Sequence, residues 1–165
     1  MKAFKNAAFT ALLTMGVFST ALYTSCSKDD CKDVVCNNGG TCVSGTCSCP
    51  AGYEGTSCQT ASASKIVGTY TSSETCQPPV TGGNWSSTLT QSSGDATKII
   101  ISNFGDSGSN VTGKVNGTGI TLDNTLIGSQ TVAGSGTING NIVTITYQLT
   151  GGSTNYSCTM TMTKQ

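Results

Sequence analysis

The chain of 165 residues contains no histidine and no arginine, and only 10% of its residues are charged. All eight basic residues are lysines, and eight acidic residues balance them. Without a basic surface, the chain lacks the cations that bind a nucleic-acid backbone. Without histidine, it lacks the side chain that most often acts in acid–base chemistry near neutral pH. We therefore expect no nucleic-acid partner and none of the usual histidine chemistry.

Residues that favour long helices are also scarce. Alanine and leucine are few, whereas threonine, serine, glycine and asparagine together make up nearly half of the chain. Threonine is β-branched and suits strands, while glycine, serine and asparagine suit turns. The composition excludes a helical bundle and predicts an all-β fold with many short turns.

The N-terminus has the layout of an export signal. Lys2 and Lys5 precede an apolar stretch over residues 7–22, and this charged-then-apolar order is typical of a secretory signal. The stretch is too short and too rich in threonine and serine to be a stable membrane span. The sequence therefore predicts a signal peptide over residues 1–25.

Residues 22–26 resemble a bacterial lipobox, which implies that Cys26 is lipidated and becomes the first mature residue. The predicted lipidated tether is residues 26–30, in which four residues follow the cysteine: Ser27, Lys28, Asp29 and Asp30. They resemble the acidic export signal of Bacteroidota lipoproteins, and this resemblance implies an outer-membrane, lipid-anchored protein that faces the cell exterior. A cleaved signal followed by a plain acidic linker is the alternative.

The cysteine count agrees with lipidation. Nine cysteines are an odd number, which in a secreted chain leaves one thiol over, and a lipid on Cys26 removes the oddness. Of the other eight, six lie within residues 31–58, whereas Cys76 and Cys158 stand far apart. This distribution predicts two modules in the mature chain.

The first module, residues 31–58, is too short to bury an apolar core, so its fold must depend on covalent cross-links. Six cysteines allow fifteen pairings. The cysteine pattern, together with the segments 38–42 and 49–58, resembles an epidermal growth factor-like (EGF-like) module. The resemblance implies three disulfides: Cys31 with Cys42, Cys36 with Cys47 and Cys49 with Cys58.

Zinc and calcium are the two metals considered for this module. The missing histidines, an oxidising compartment and the cysteine spacing all disfavour zinc. Calcium-binding members of the EGF-like family carry acidic ligands before the first cysteine, which Asp29, Asp30 and Asp33 imitate only loosely. Residues 43–46 add no carboxylate or amide oxygen, although calcium prefers six to eight oxygen ligands. We predict no metal site and no cofactor.

The second module, residues 65–165, follows a segment of small side chains, residues 59–64, that we predict to be a flexible linker. Turn-forming clusters divide the module into seven to nine short strands, of which residues 142–149 alternate most clearly. Asn139-Gly140 is a preferred hairpin turn before that strand. Consecutive hairpins predict an antiparallel meander that closes into a barrel, with a β-sandwich as the alternative.

Cys76 and Cys158 fit this closure if they lie opposite each other on the first and last strands. The register then pairs three further positions: Glu74 with Met160, Ser72 with Met162 and Tyr70 with Lys164. A disulfide would join the first strand to the last. Residues 68–70 partly resemble the Gly-x-Trp opening of lipocalins, so the module is similar to a lipocalin-like or calycin-like barrel.

Catalysis is not expected from this second module. Its acidic residues are Glu74, Asp95, Asp106 and Asp123. Three of them lie in predicted turns, and only Glu74 lies on a strand. No nucleophile has a histidine base, and no carboxylates stand at matched strand positions, so a glycan-processing enzyme is the weakest interpretation.

Binding is the stronger interpretation. A small barrel holds an apolar ligand if side chains do not fill its interior. The aromatic residues able to line such a space are Trp85, Phe104, Tyr147 and Tyr156. Alternatively, they fill a solid core, and exposed loops contact other surface proteins. We therefore predict a non-catalytic, surface-tethered lipoprotein with the membrane as its anchor and a protein or a small apolar ligand as its partner.

Overall fold

The computed structural model describes residues 30–165. The predicted signal peptide and the tether residues Cys26, Ser27, Lys28 and Asp29 lie outside the described residues, and Asp30 is exposed. Strands dominate the described part, and its helical segments are two short 3-10 turns. Over residues 30–165, no helix has the length and apolar character needed to cross a membrane.

The first module is built on short hairpins and cross-links. Strand β1, Thr41–Val43, pairs antiparallel with β2, Thr46–Ser48, which sets Cys42 opposite Cys47. Each of these two cysteines bonds to a residue upstream. The three disulfides are those that the resemblance implied: Cys31–Cys42, Cys36–Cys47 and Cys49–Cys58.

The segment between the modules is ordered, so the prediction of a flexible linker over residues 59–64 is wrong. Strand β4, Thr60–Ala61, pairs with β3, Tyr53–Glu54, in the first module. A 3-10 helix, Ser62–Ile66, follows directly, and both Ala63 and Ile66 are buried. Small side chains are typical of a mobile backbone when they face solvent, but in this segment they allow close packing against the barrel.

The second module is a closed antiparallel barrel. Its strands are β5 (Gly68–Gln77), β6 (Trp85–Gln91), β7 (Lys98–Ser102), β8 (Val111–Asn116), β9 (Gly119–Leu122), β10 (Thr125–Ile127), β11 (Gln130–Asn139), β12 (Ile142–Thr150) and β13 (Tyr156–Lys164). The order β10-β11-β12-β13-β5-β6-β7-β8-β9 closes because β9 also pairs with β11, which leaves β10 beside the eight-stranded ring. The all-β class and the closed barrel are confirmed, rather than the β-sandwich alternative.

The register between the first and last barrel strands is the predicted one. Cys76 lies opposite Cys158, and the two form a disulfide. The other pairs agree as well: Glu74 with Met160, Ser72 with Met162 and Tyr70 with Lys164. The strand pairing and the disulfide together hold the ends of the meander side by side.

Inward-facing side chains fill most of the barrel. Along β12 the predicted alternation holds, since Val143, Ile145 and Tyr147 are buried. Apolar residues from the other strands meet them and are fully or almost fully buried: Leu89, Ile99, Ile101, Val115, Met160 and Met162. The interior is therefore a packed core, and free space is found towards one end.

Candidate binding pocket at the distal end of the barrel

The two ends of the barrel are built differently. At the proximal end, where β5 begins, the backbone N–H of Ser62 donates to the Gly52 carbonyl at 2.8 Å. The neighbouring N–H of Ala63 donates to the Ala96 carbonyl at 3.0 Å. These bonds fix the first module to the proximal end. At the distal end, where β5 finishes, lie the loops 78–84, 103–110 and 151–155 and the segment around β10.

A pocket of about 180 Å³ opens at the distal end. Its lining residues are Glu74, Phe104, Gly105, Ser107, Ile127, Gln130, Tyr147 and Leu149. Phe104, Ile127 and Leu149 give it apolar walls. Glu74 is the single carboxylate among these residues. It faces the pocket because it lies on the inward face of β5, two positions before Cys76.

Glu74 and Tyr147 form the polar centre of the pocket. The buried Tyr147 hydroxyl donates a hydrogen bond to Glu74 Oε2. Burial, with a smaller effect from the bond to Glu74, raises the pKa of the Tyr147 phenol far above its usual range. The phenol therefore stays a donor at physiological pH. No described residue donates to the second carboxylate oxygen, Oε1.

Two glycines on β11 make room for the residues that face them. Gly134 lies opposite Tyr147 and Gly136 opposite Ile145. A Cβ atom on Gly134 would stand 2.6 Å from the Tyr147 Cβ and 2.4 Å from the Thr146 carbonyl oxygen. Side chains at these positions would displace β12, so the glycines let Tyr147 reach Glu74.

The loop of residues 103–110 forms one wall of the pocket. Phe104 packs edge-on against Tyr147, with ring centroids 4.7 Å apart. The backbone is left-handed at Asn103, Gly105 and Asp106, with φ values of 54°, 59° and 53°. The Asn103 amide stabilises this path, because its Oδ1 accepts from the Gly108 N–H at 2.9 Å. The loop thus presents Phe104 to the interior.

The four aromatic candidates do not share one cavity. Phe104 and Tyr147 line the distal pocket, whereas Trp85 and Tyr156 do not. Trp85 is buried, and its indole N–H donates to the Asn103 carbonyl at 3.0 Å, so it stabilises the start of the loop 103–110. Tyr156 packs against the core as a partly buried residue. Aromatic character indicated burial but not which cavity each ring faces.

Six pocket residues are not among the site residues that the sequence predicts, and strand alternation could have found two of them. Glu74 is the first, because the alternation along β5 that turns Cys76 inward also turns Glu74 inward. The same alternation places Leu149 inward on β12. The remaining lining residues carry no such signal, because they lie on loops or at strand ends: Gly105, Ser107, Ile127 and Gln130.

Two other carboxylates of the barrel, Asp95 and Asp123, are engaged elsewhere. Asp95 accepts hydrogen bonds from the Thr97 hydroxyl and backbone N–H, which lower its pKa. Asp123 accepts from the Thr112 hydroxyl at 2.6 Å, and the Lys98 ammonium lies 3.9 Å from the same oxygen. Both carboxylates stabilise turns or strand ends.

Cys76 and Cys158 lie close enough to Glu74 for the three to resemble a metal site. Their sulfur atoms are bonded to each other, however, and a disulfide offers no thiolate to a metal ion. The arrangement leaves Glu74 as a carboxylate that faces a small, mainly apolar pocket.

Comparison with known proteins identifies the first module. Residues 26–58 match the family model of the EGF-like domain. The first module is EGF-like. No curated protein and no solved structure matches the chain. The barrel is therefore characterised by its own geometry, and its likeness to lipocalins stays a prediction.

Proposed function

We propose that the protein is a non-catalytic binding protein that a lipid on Cys26 tethers to the outer surface of a cell. In this proposal the EGF-like module is a cross-linked spacer, and the distal end of the barrel is the binding end. The difference between the two ends of the barrel supports the proposal. The EGF-like module occupies the proximal end, where a cleft of about 480 Å³ lies beside Gly52, Thr97 and Asn116. The distal end has the free loops and the mainly apolar pocket around Glu74.

The junction between the modules supports a rigid spacer. Besides the β3–β4 pairing, the Lys65 ammonium lies 2.9 Å from Glu54 Oε2 across the junction. Gly52 packs so closely against Thr97 that a Cβ atom on Gly52 would stand 2.6 Å from the Thr97 methyl carbon. A rigid spacer next to the anchor would hold the distal loops away from the membrane.

Binding of a small molecule is the second candidate function, and the distal pocket favours a small ligand over a long lipid chain. Met160, Met162 and Leu89 fill the middle of the barrel, so a long lipid chain has no space there. The distal pocket, at about 180 Å³, is similar to a cavity of about 150 Å³ that admits benzene. The ligand would be small and would sit near the barrel mouth.

Surface labelling of intact cells tests the proposal. One epitope is inserted within residues 79–84, at the distal end, and another replaces the turn 117–118, at the proximal end. We expect the distal epitope to be labelled on intact cells, and Cys26→Ser to release the protein from the membrane fraction. Retention of Cys26→Ser in membranes, or a distal epitope that is labelled only after lysis, would contradict the tethered orientation.

A further inference from the structure

We infer that the distal pocket binds a small organic ammonium ion whose apolar body is about the size of one six-membered ring. The inference rests on the proposed function only in taking the distal end as the binding end. It specifies the ligand by charge, by hydrogen-bonding character and by size, and each of these follows from a different feature of the pocket.

The charge follows from Glu74. Its carboxylate is half-buried, and the neutral Tyr147 hydroxyl is its hydrogen-bond partner among the described residues. None of the lysines of the barrel lines the pocket, and the ion pairs over residues 30–165 join Lys65 to Glu54 and Lys98 to Asp123. A negative charge beside apolar walls, without a protein cation, favours a cationic ligand.

The hydrogen-bonding character follows from the other polar side chains. The Ser107 hydroxyl donates to the Phe104 carbonyl at 2.6 Å, and Tyr147 donates to Glu74. The Gln130 amide nitrogen donates to the Thr154 carbonyl at 2.9 Å, which leaves the Gln130 Oε1 without a donor among the described residues. Two side-chain oxygens thus have no donor among the described residues, Glu74 Oε1 and Gln130 Oε1, while the Gln130 amide keeps one unused N–H. The carboxylate oxygen accepts only, so it fits a ligand that donates.

The size follows from the volume of about 180 Å³ and from the apolar walls. Phe104, Ile127 and Leu149 provide contact for a hydrocarbon body comparable to benzene. An ammonium group on such a body reaches the carboxylate while the body stays among the walls. The ammonium could belong to a free amine or to the N-terminal residue of a peptide, and the experiment separates these sources.

Calorimetric titration of the full-length protein in detergent tests the inference with matched probes. Benzylamine, benzyl alcohol and benzoate share a ring and differ in charge. We expect saturable binding of benzylamine, at least about tenfold tighter than benzyl alcohol, and no binding of benzoate. A peptide with N-terminal phenylalanine is the second cation: binding of the peptide alone assigns the site to a protein partner, and binding of benzylamine alone assigns it to free amines.

Glu74→Gln removes the charge and keeps the shape. It should reduce the affinity for the cation at least about tenfold and leave benzyl alcohol unaffected. Asp106→Asn is the control, because Asp106 is an exposed carboxylate at the same end and does not line the pocket. It should retain the affinity within about threefold.

A second variant keeps the test decisive if Glu74→Gln does not fold. Ile127→Trp fills the pocket and preserves the carboxylate, and it should abolish binding of the cation. Equal affinities for benzylamine and benzyl alcohol, an unchanged affinity in Glu74→Gln, or no saturable binding of either cation would overturn the inference. None of these outcomes depends on Cys26, so failure here is distinct from failure of the tethering experiment.

Discussion

Cys76 lies directly opposite Cys158, and their disulfide joins the first strand of the barrel to the last. The bond spans 82 residues of sequence, and all the remaining strands of the barrel, β6 to β12, lie between its two cysteines. Glu74 is two residues away on the same inward face of β5. The bond that closes the barrel therefore also fixes the strand that carries the carboxylate of the pocket.

Replacing both Cys76 and Cys158 with serine should lower the free energy of unfolding by about 2–4 kcal/mol, because the unfolded chain regains the freedom of a long loop. Denaturant titration followed by the fluorescence of Trp85, the single tryptophan, measures this change. The disulfides of the EGF-like module should remain in a non-reduced peptide map. An unchanged midpoint, or reaction of Cys76 or Cys158 with an alkylating reagent in the native wild type, would contradict the prediction.

Gly52→Ala should loosen the EGF-like module from the barrel. Gly52 has φ +90°, and the added Cβ would stand 2.6 Å from the Thr97 methyl carbon. We expect a loss of about 1–3 kcal/mol in local stability and faster amide exchange at Ser62 and Ala63. Gly39→Ala is the matched control, because Gly39 lies in the same module with φ +79° and a Cβ atom added to it would meet no atom within 4 Å. Equal exchange in both variants would show that the junction does not depend on this contact.

The sequence predicts a part of the fold where a local residue pattern has one structural meaning, and it fails where the same pattern is compatible with two structures. The register of β5 with β13 was predictable, because Cys76 and Cys158 are the two cysteines that follow the first module and the flanking residues alternate. The order in residues 59–66 was not, because small side chains are equally common in mobile linkers and in tight packing. Burial of Ala63 depends on the barrel that it contacts.

The same distinction applies to the pocket. Strand alternation alone places Glu74, Tyr147 and Leu149 on the inward face. The opposite wall depends on the loop 103–110, whose path is set by left-handed backbone at Asn103 and by hydrogen bonds to distant strands. Such contacts are long-range, and the sequence offers no periodic signal for them.

Gly134→Ala should disturb the pocket through Tyr147. The new Cβ would overlap the Cβ of Tyr147, so β11 and β12 must separate, at a cost of about 1–3 kcal/mol. Thermal unfolding measures the loss, and slower-exchanging tyrosine hydroxyl signals in the wild type report the bond to Glu74. Gly119→Ala is the control, because a Cβ atom added to Gly119 would meet only the Asn116 carbonyl oxygen, at 3.4 Å. A smaller effect at Gly134 than at Gly119 would argue against this role.

Stability should fall at alkaline pH. Burial raises the pKa of both Tyr70 and Tyr147 above the usual value of 10.0. Above pH 10 the unfolded chain ionises these phenols while the folded chain keeps them protonated, so the stability present below pH 10 is progressively lost as the pH rises. Absorbance titration should show both phenols ionising at a higher pH than the usual value of 10.0. Tyr147→Phe should weaken the pH dependence, and titration of every tyrosine near pH 10 in the folded protein would exclude the effect.

In the proposed tethered form, alanine at Lys28, Asp29 and Asp30 should leave the protein facing the cell interior, because the acidic run is the proposed export signal. Protease added to intact cells should then digest the wild type and spare the variant, while both remain in the membrane fraction. Alanine at Asp33, which lies beyond the run, is the control and should be digested like the wild type. Unchanged digestion of the triple variant would remove the export role and leave lipidation of Cys26 untouched.

The chain enters β5 at the proximal end, and the Cys76–Cys158 bond lies near the distal end of the same strand. A mechanical load applied between the EGF-like module and the distal loops therefore acts along the strands. The hydrogen bonds that β5 makes to β13 and β6 are loaded together in shear rather than broken one after another. The disulfide prevents β5 from sliding past β13, so a protein held at its EGF-like module and pulled at its distal end would resist extraction of this strand.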